Sequence, residues 1–231
     1  MQKVLITGGT GFVGRAVVSL LLKRGFNLRV LTRELSLGRV PIHANCEPYS
    51  GNPLDAGDVR AALRTCTAVA HMVGIRRRDG RATGLGYDDV DTASAIVMAD
   101  AAREIGIDRI VLLSAAAIGH STYVRAKART EQAIVNSGCR WTIVRPAFIV
   151  GPGQQWPRLL TPLLAFLAFI PGRLGTIARK AGNTTRREVA EAIAWGLWSP
   201  AAINAILEVP DIRAVAAGPR HATRFASEEI T

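Results

Sequence analysis

Gly8, Gly11 and Gly14 recur at three-residue intervals in the opening run MQKVLITGGTGFVG. Glycine at that spacing lets a backbone turn tightly and approach a diphosphate closely, with the amides of Thr10, Gly11, Phe12 and Val13 facing negative charge at a helix start. Much later, Tyr123 and Lys127 stand four positions apart. On a helix that spacing puts both side chains on one face. A phenol there can donate or accept a proton at a substrate carbonyl or hydroxyl, while the ammonium lowers its pKa and holds a nicotinamide ribose. A third candidate is Arg33. It ends the second apolar run, where an acidic residue would accept hydrogen bonds from a free ribose 2′-hydroxyl. Arginine pairs instead with a 2′-phosphate, which favours NADP(H) over NAD(H), although the adjacent Glu34 argues the other way.

These residues need elements to position them. Lys3 to Thr7 is a β-branched run, and after the glycines Phe12, Val13, Ala16, Val17, Leu20 and Leu21 fall at helical spacing. Gly25 stops that helix near Arg24, and Leu28 to Thr32 reads as a strand, completing a β-α-β unit. The alternation continues: a strand at Cys46 to Tyr49, a helix from Ala56 to Arg64, a strand from Ala68 to Val73, and a long helix from Tyr87 to Ile105. Then come a strand at Asp108 to Ser114, a helix from Tyr123 to Ser137 and a strand at Trp141 to Arg145. Apolar strands alternating with helices predict a doubly wound, Rossmann-type α/β fold with a parallel sheet.

From Gly151 onward prolines punctuate the chain, leaving one apolar segment, Leu159 to Ile170, and one amphipathic helix, Arg187 to Trp198. The expected division is a dinucleotide-binding core over 1–153, a small irregular substrate-side cap over 154–218 integrated with it, and a flexible tail over 219–231. The segment is too short to span a bilayer, which takes about 20 residues. Flanked by Arg158, Arg173, Arg179 and Lys180, it is suited to covering the cleft, admitting a lipid-like substrate or lying on an anionic membrane.

Composition narrows the function classes. The 231 residues carry 29 basic and 18 acidic side chains, net +11, which attracts polyanions in general. No carboxylate occurs between Glu131 and Glu188, and Arg76, Arg77, Arg78 and Arg81 cluster after the fourth strand, where they could meet phosphate or equally form a solvated loop. With no helix-turn-helix and no aromatic-interleaved basic motif, nothing beyond net charge points to nucleic acid. The 3 cysteines are widely spaced and fit neither a disulfide framework nor a zinc site, and the histidines lack metal-ligand spacing. His71, at a strand end, reads as structural. The start lacks the features of a secretory signal, so the expected location is cytoplasmic, with peripheral membrane contact left open.

TGxxGxxG followed by YxxxK, with AHMVGI (70–75), RIVLLSA (109–115) and SGCRWTIVRPAFIVGPG (137–153), resembles the short-chain dehydrogenase/reductase superfamily in its extended or atypical branch. More narrowly, it is similar to the subgroup that includes the NADPH-holding accessory subunit of respiratory complex I. The resemblance covers about residues 1–153. It implies cofactor contacts at Gly8, Thr10, Gly11, Phe12, Val13, Gly14, Arg33, Asn52, Gly74, Ser114 and Lys127, with Tyr123 and Lys127 catalytic and no metal.

Three positions depart from the family pattern. Ala116 stands where a catalytic serine or threonine is usual, Gly51-Asn52 replaces Gly-Asp, and Asn183 to Val189 replaces a His-x-x-Asp-Val segment. Two functions follow as expectations. One is an NADP-preferring oxidoreductase of unknown substrate; the other is a catalytically idle NAD(P)H-binding subunit or regulator attached to a membrane or respiratory assembly.

Overall fold

β1 (Lys3–Thr7) lies between β2 (Asn27–Thr32) and β4 (Ala68–His71), parallel to both, with Leu5 opposite Arg29 and Val69. Its side chains alternate between two cores, Val4 and Ile6 on one face and Leu5 on the other. A strand buried on both faces must be apolar throughout, which is why KVLIT reads as a continuous run rather than an alternating one. The computed structural model describes residues 3–75, 77–116, 121–151 and 182–218, with the backbone alone for Arg77 and Arg78. Several expectations lie outside those residues: Arg76, the apolar stretch Leu159 to Ile170 with its flanking basic residues, and the tail 219–231.

Among the described residues the main sheet has the order β3-β2-β1-β4-β5-β6-β9, every pairing parallel. The remaining strands are β3 (Cys46–Ser50), β5 (Arg109–Leu113), β6 (Arg140–Val144) and β9 (Ala205–Leu207); β7 (Phe148–Val150) and β8 (Asn183–Thr185) form a separate parallel pair. Parallel pairing brings all the carboxyl ends to one edge. The order reverses beside β1, and that reversal opens a crevice where ligands bind in such folds.

One face is covered by α1 (Gly14–Lys23) and α6 (Arg186–Trp198), whose Val17, Val18, Leu21, Val189 and Ile193 are buried with Val4 and Ile6. The other carries α2 (Ala56–Leu63), α4 (Ala93–Ile105) and α5 (Thr122–Val135) over Leu5, Leu31, Ile110 and Ile143. Each fully buried aliphatic side chain contributes about 1.5–3 kcal/mol against exposure. Residues 183–217, part of the expected cap, are built into the core layer: they supply α6, β9 and α7 (Val209–Ala217). α6 is capped by Thr185 and Glu188 in a reciprocal box and tied to β5 by buried Arg109, whose guanidinium donates to the Gly196 and Ser199 carbonyls at 3.0 and 2.8 Å.

Two local expectations change. The Arg77 to Arg81 stretch is a short helix, α3 (Arg77–Thr83), rather than a loop; it has no apolar periodicity to announce it. The long helix expected from Tyr87 to Ile105 is helical throughout, but it widens into a π-turn over Asp88–Thr92 before α4. Such single-turn widenings often sit at functional sites. Among the described residues no helix is long and apolar enough to cross a membrane.

α1 can approach β1 only because position 14 lacks a side chain: a Cβ there would stand 2.1 Å from the Gly8 carbonyl oxygen and 2.7 Å from Gly9 Cα. Both are backbone atoms and cannot swing away. Gly14→Ala should therefore destabilise the fold by about 3 kcal/mol, read as a lower urea midpoint; an unchanged midpoint would contradict this packing.

Candidate active site

Beyond Thr7 the chain turns at Gly8, whose φ of +74° is left-handed and whose Cβ, if present, would meet the Met72 carbonyl oxygen at 2.4 Å. Glycine alone tolerates both conditions. The Gly11 amide donates to the Gly8 carbonyl at 3.0 Å. Of the four amides expected to face an anion, that of Gly11 is thus spent closing the turn, because the tight bend brings it onto a carbonyl three residues back. α1 then starts with no side-chain cap and no acidic residue in its first turn, so the positive end of its dipole is uncompensated. Phe12 lies under the Arg186 guanidinium, 4.8 Å from the ring centroid, and the Val13 side chain is in the core. A contact from these two to a ligand is a backbone contact. A turn too tight for side chains, facing an uncompensated helix start, fits the diphosphate of a dinucleotide.

The other candidates lie along the same carboxyl edge. Exposed Arg33 follows β2, and the Thr32 carbonyl accepts the Gly51 amide at 3.0 Å, drawing the ends of β2 and β3 together. Asn52 Oδ1 accepts the Leu54 amide at 3.1 Å, while the Asn52 amide donates to Asp58 Oδ2 at 2.8 Å; the carboxamide oxygen is held in the turn into α2. Gly74 is exposed beyond β4.

Ser114 is buried, and its hydroxyl donates to Glu131 Oε1 at 2.5 Å. Glu131 in turn accepts two hydrogen bonds from Arg145, at 2.9 and 2.5 Å, and Arg145 reaches Glu208 at 3.3 Å. That network pins α5 to β6 and to the start of α7. It holds the Arg145 guanidinium above its usual pKa, chiefly through the hydrogen bond to Glu131. Ala116 is buried, its amide donating to the Pro146 carbonyl at 2.9 Å.

Tyr123 and Lys127 occupy one face of α5, whose N-terminus is capped by Ser121. The Tyr123 ring meets Tyr87 edge-on, with centroids 4.8 Å apart, and Lys127 Nζ lies 5.8 Å from its centroid. The ammonium is not free. It pairs with Asp91 Oδ1 at 2.7 Å, and both side chains are buried. The other Asp91 oxygen accepts the Ile75 amide at 2.8 Å, joining α5 to the loop after β4. Burial, then the Asp91 carboxylate and then Tyr87, push the Tyr123 phenol up to about 12. The sequence predicted the opposite direction, a phenol lowered by lysine, because neither the burial of the ring nor Asp91 was part of that reading. Three carboxylates crowding the start of an apolar helix, Asp88, Asp89 and Asp91, were the available signal.

His71 is fully buried between two hydroxyls, Thr7 Oγ1 at 2.9 Å from Nδ1 and Ser94 Oγ at 3.3 Å from Nε2. Burial, and secondarily the Lys127 charge, hold its pKa down to about 3. It is a neutral bridge between β1, β4 and α4, consistent with the structural reading.

A parallel sheet reversing beside β1, with a glycine turn at the reversal and an open helix start behind it, defines a doubly wound dinucleotide-binding protein. The chain belongs to the NAD(P)H-binding family, whose profile it matches over residues 8–167. It is 27% identical over 190 residues to the Arabidopsis thaliana mitochondrial NADH dehydrogenase [ubiquinone] 1 alpha subcomplex subunit 9, covering 78% of this chain and 45% of that protein. It is 33% identical over 159 residues to the Caulobacter vibrioides ceramide reductase, covering 65% and 47%. The chain thus spans about half the length of these curated relatives. Its fold superposes on the Thermus thermophilus UDP-glucose 4-epimerase complexed with NAD with a TM-score of 0.68 at 21% identity, covering 94% of this chain and 83% of that one.

The depressed pKa of His71 has a measurable consequence. The unfolded chain, with an ordinary histidine near 6.5, binds a proton that the folded chain refuses down to about pH 3. The contribution of this site is complete above about pH 6.5 and is lost as pH falls toward 3, on the order of a few kcal/mol in all. His71→Gln should flatten the stability–pH slope in that window in denaturant melts; an unchanged slope would show that His71 titrates normally.

Proposed function

We propose that this protein is an NADP(H)-preferring oxidoreductase that reduces a carbonyl on an apolar small molecule, with Tyr123 as the proton donor. The observation that carries the reading is the Tyr123–Lys127 face of α5 at the carboxyl edge, with the phenol held in its proton-bearing form at neutral pH. The backbone around Gly8 to Gly14 holds the diphosphate. Arg33 pairs with the 2′-phosphate, and Asn52 and Gly74 border the same crevice. When bound, a reduced nicotinamide would supply the hydride for the carbonyl carbon. Tyr123 Oη gives its proton to the carbonyl oxygen, the product is an alcohol, and solvent restores the proton to the phenolate. Ala116 offers no hydroxyl to the substrate oxygen, so Tyr123 carries that contact. The likeness to a protein named ceramide reductase supports an apolar substrate, as does the stretch Leu159 to Ile170.

A second reading has its own observation. Ala116 and the engagement of the Ser114 hydroxyl with Glu131 leave the site without the usual substrate-side hydroxyl, which suits a coenzyme-holding subunit. The likeness to a respiratory-complex subunit favours it too.

NADPH consumption across ketone, enone and quinone panels separates the two readings. Turnover is expected for at least one class and should fall by about 10²–10⁴-fold in Tyr123→Phe with coenzyme affinity unchanged. Tight coenzyme binding with no turnover on any panel would assign the holding role. Arg33→Ala should weaken NADPH at least about tenfold more than NADH, a charge-assisted hydrogen bond being lost for one coenzyme alone; equal weakening in calorimetry would remove the NADP preference.

A further inference from the structure

We propose that Asp91 is a positioning residue of this site: its carboxylate fastens Lys127 to the backbone after β4 and, by pairing with the ammonium beside Tyr123, keeps that ammonium from acidifying the phenol. The proposal deepens the reductase reading and rests on it for its meaning, though its test needs neither coenzyme nor substrate.

The geometry is specific. Asp91 is 1% exposed and uses both oxygens, Oδ1 for Lys127 Nζ at 2.7 Å and Oδ2 for the Ile75 amide at 2.8 Å. It lies within the π-turn over Asp88–Thr92, which replaces a regular helical turn at that point. Gly74 makes room for it, since a Cβ there would stand 3.1 Å from Oδ1.

The electrostatic consequence follows from what surrounds the phenol. Tyr123 is faced by Lys127 from its own helix and by Tyr87 and Asp91 from the segment leading into α4. From β4, His71 is neutral and adds no charge, and the neighbouring Asp88 is paired with Arg129. An unpaired ammonium at this distance favours the phenolate; a paired one does not. With the pair intact the phenol is a weaker acid than it would be beside an unpaired ammonium.

The test is the ultraviolet phenolate titration of the folded protein, with Tyr123→Phe identifying the signal of that ring. In Asp91→Asn, Tyr123 should ionise at a pH at least one unit lower, a tenfold gain in acidity, while in Asp91→Asn/Lys127→Met it should return to the wild-type position. An Asp91→Asn protein whose phenol titrates with the wild type overturns the proposal. If Asp91→Asn does not fold but the double variant does, the unpaired lysine is the cause and the charge pairing stands. If neither folds while Lys127→Met does, Asp91 serves the Ile75 backbone alone and the proposal falls. Failure of coenzyme binding or turnover would overturn the reductase reading and leave these titrations unaffected.

Discussion

The Gly8 carbonyl is the point on which the rest is hung. It receives the Gly11 amide, and the Cα of Gly14 passes so close that no side chain fits between them. The residue itself abuts the Met72 backbone at the end of β4. One peptide therefore sets how α1 descends on β1 and where the chain after β4 begins. Through α1 it governs the core shared with α6; through β4 it sets the path of the Gly74–Ile75 backbone that Asp91 grips. The glycine turn and the loop that Asp91 grips are coupled by direct backbone contact at the sheet reversal, not by a long-range network.

Much of this scaffold was legible in the sequence, for a physical reason. β1, β2, β4, β5 and β6 are buried on both sides, so each is an apolar run bounded by turn residues, and the helices between them carry a plain apolar stripe. The elements that escaped lack such a signature. β9 is three residues, Ala205–Leu207; it becomes a strand because β6 offers it an edge, with Thr142 opposite Ala205. α7 begins with a proline in its first turn and buries just Val209 and Ile212 fully. α3 is polar throughout. Tertiary pairing decides these pieces, and local propensity does not record it.

The site divides in the same way. Gly8, Gly11 and Gly14, or Tyr123 and Lys127, are readable because their spacing is local. Asp91 and Glu131 look like any solvated carboxylates until the fold brings a cation to each. A similar limit applies to charge: part of the basic surplus is not available to any polyanion. Arg29 is buried, donating to the Ala62 and Arg64 carbonyls at the end of α2 and lying 3.0 Å from Glu47. Arg109 does the same service at the end of α6. Both satisfy carbonyls that helix termini leave without partners, so net charge overstates the free positive surface.

α5 shows how one helix serves scaffold and chemistry together. Tyr123, Lys127 and Glu131 follow one another at four-residue steps and share a face. Glu131 is committed to Arg145 and Ser114, which fixes the rotation and depth of the helix against β5 and β6. Once that end is fixed, Tyr123 and Lys127 have no freedom to choose where they stand. A buried ion pair is seldom kept for stability, because apolar residues of equal volume often do as well or better. The Glu131–Arg145 pair earns its place by orientation. The Asp91–Lys127 pair lies one turn nearer the carboxyl edge, beside Tyr123 on the same helix, and there the same constraint holds Lys127 against the loop after β4.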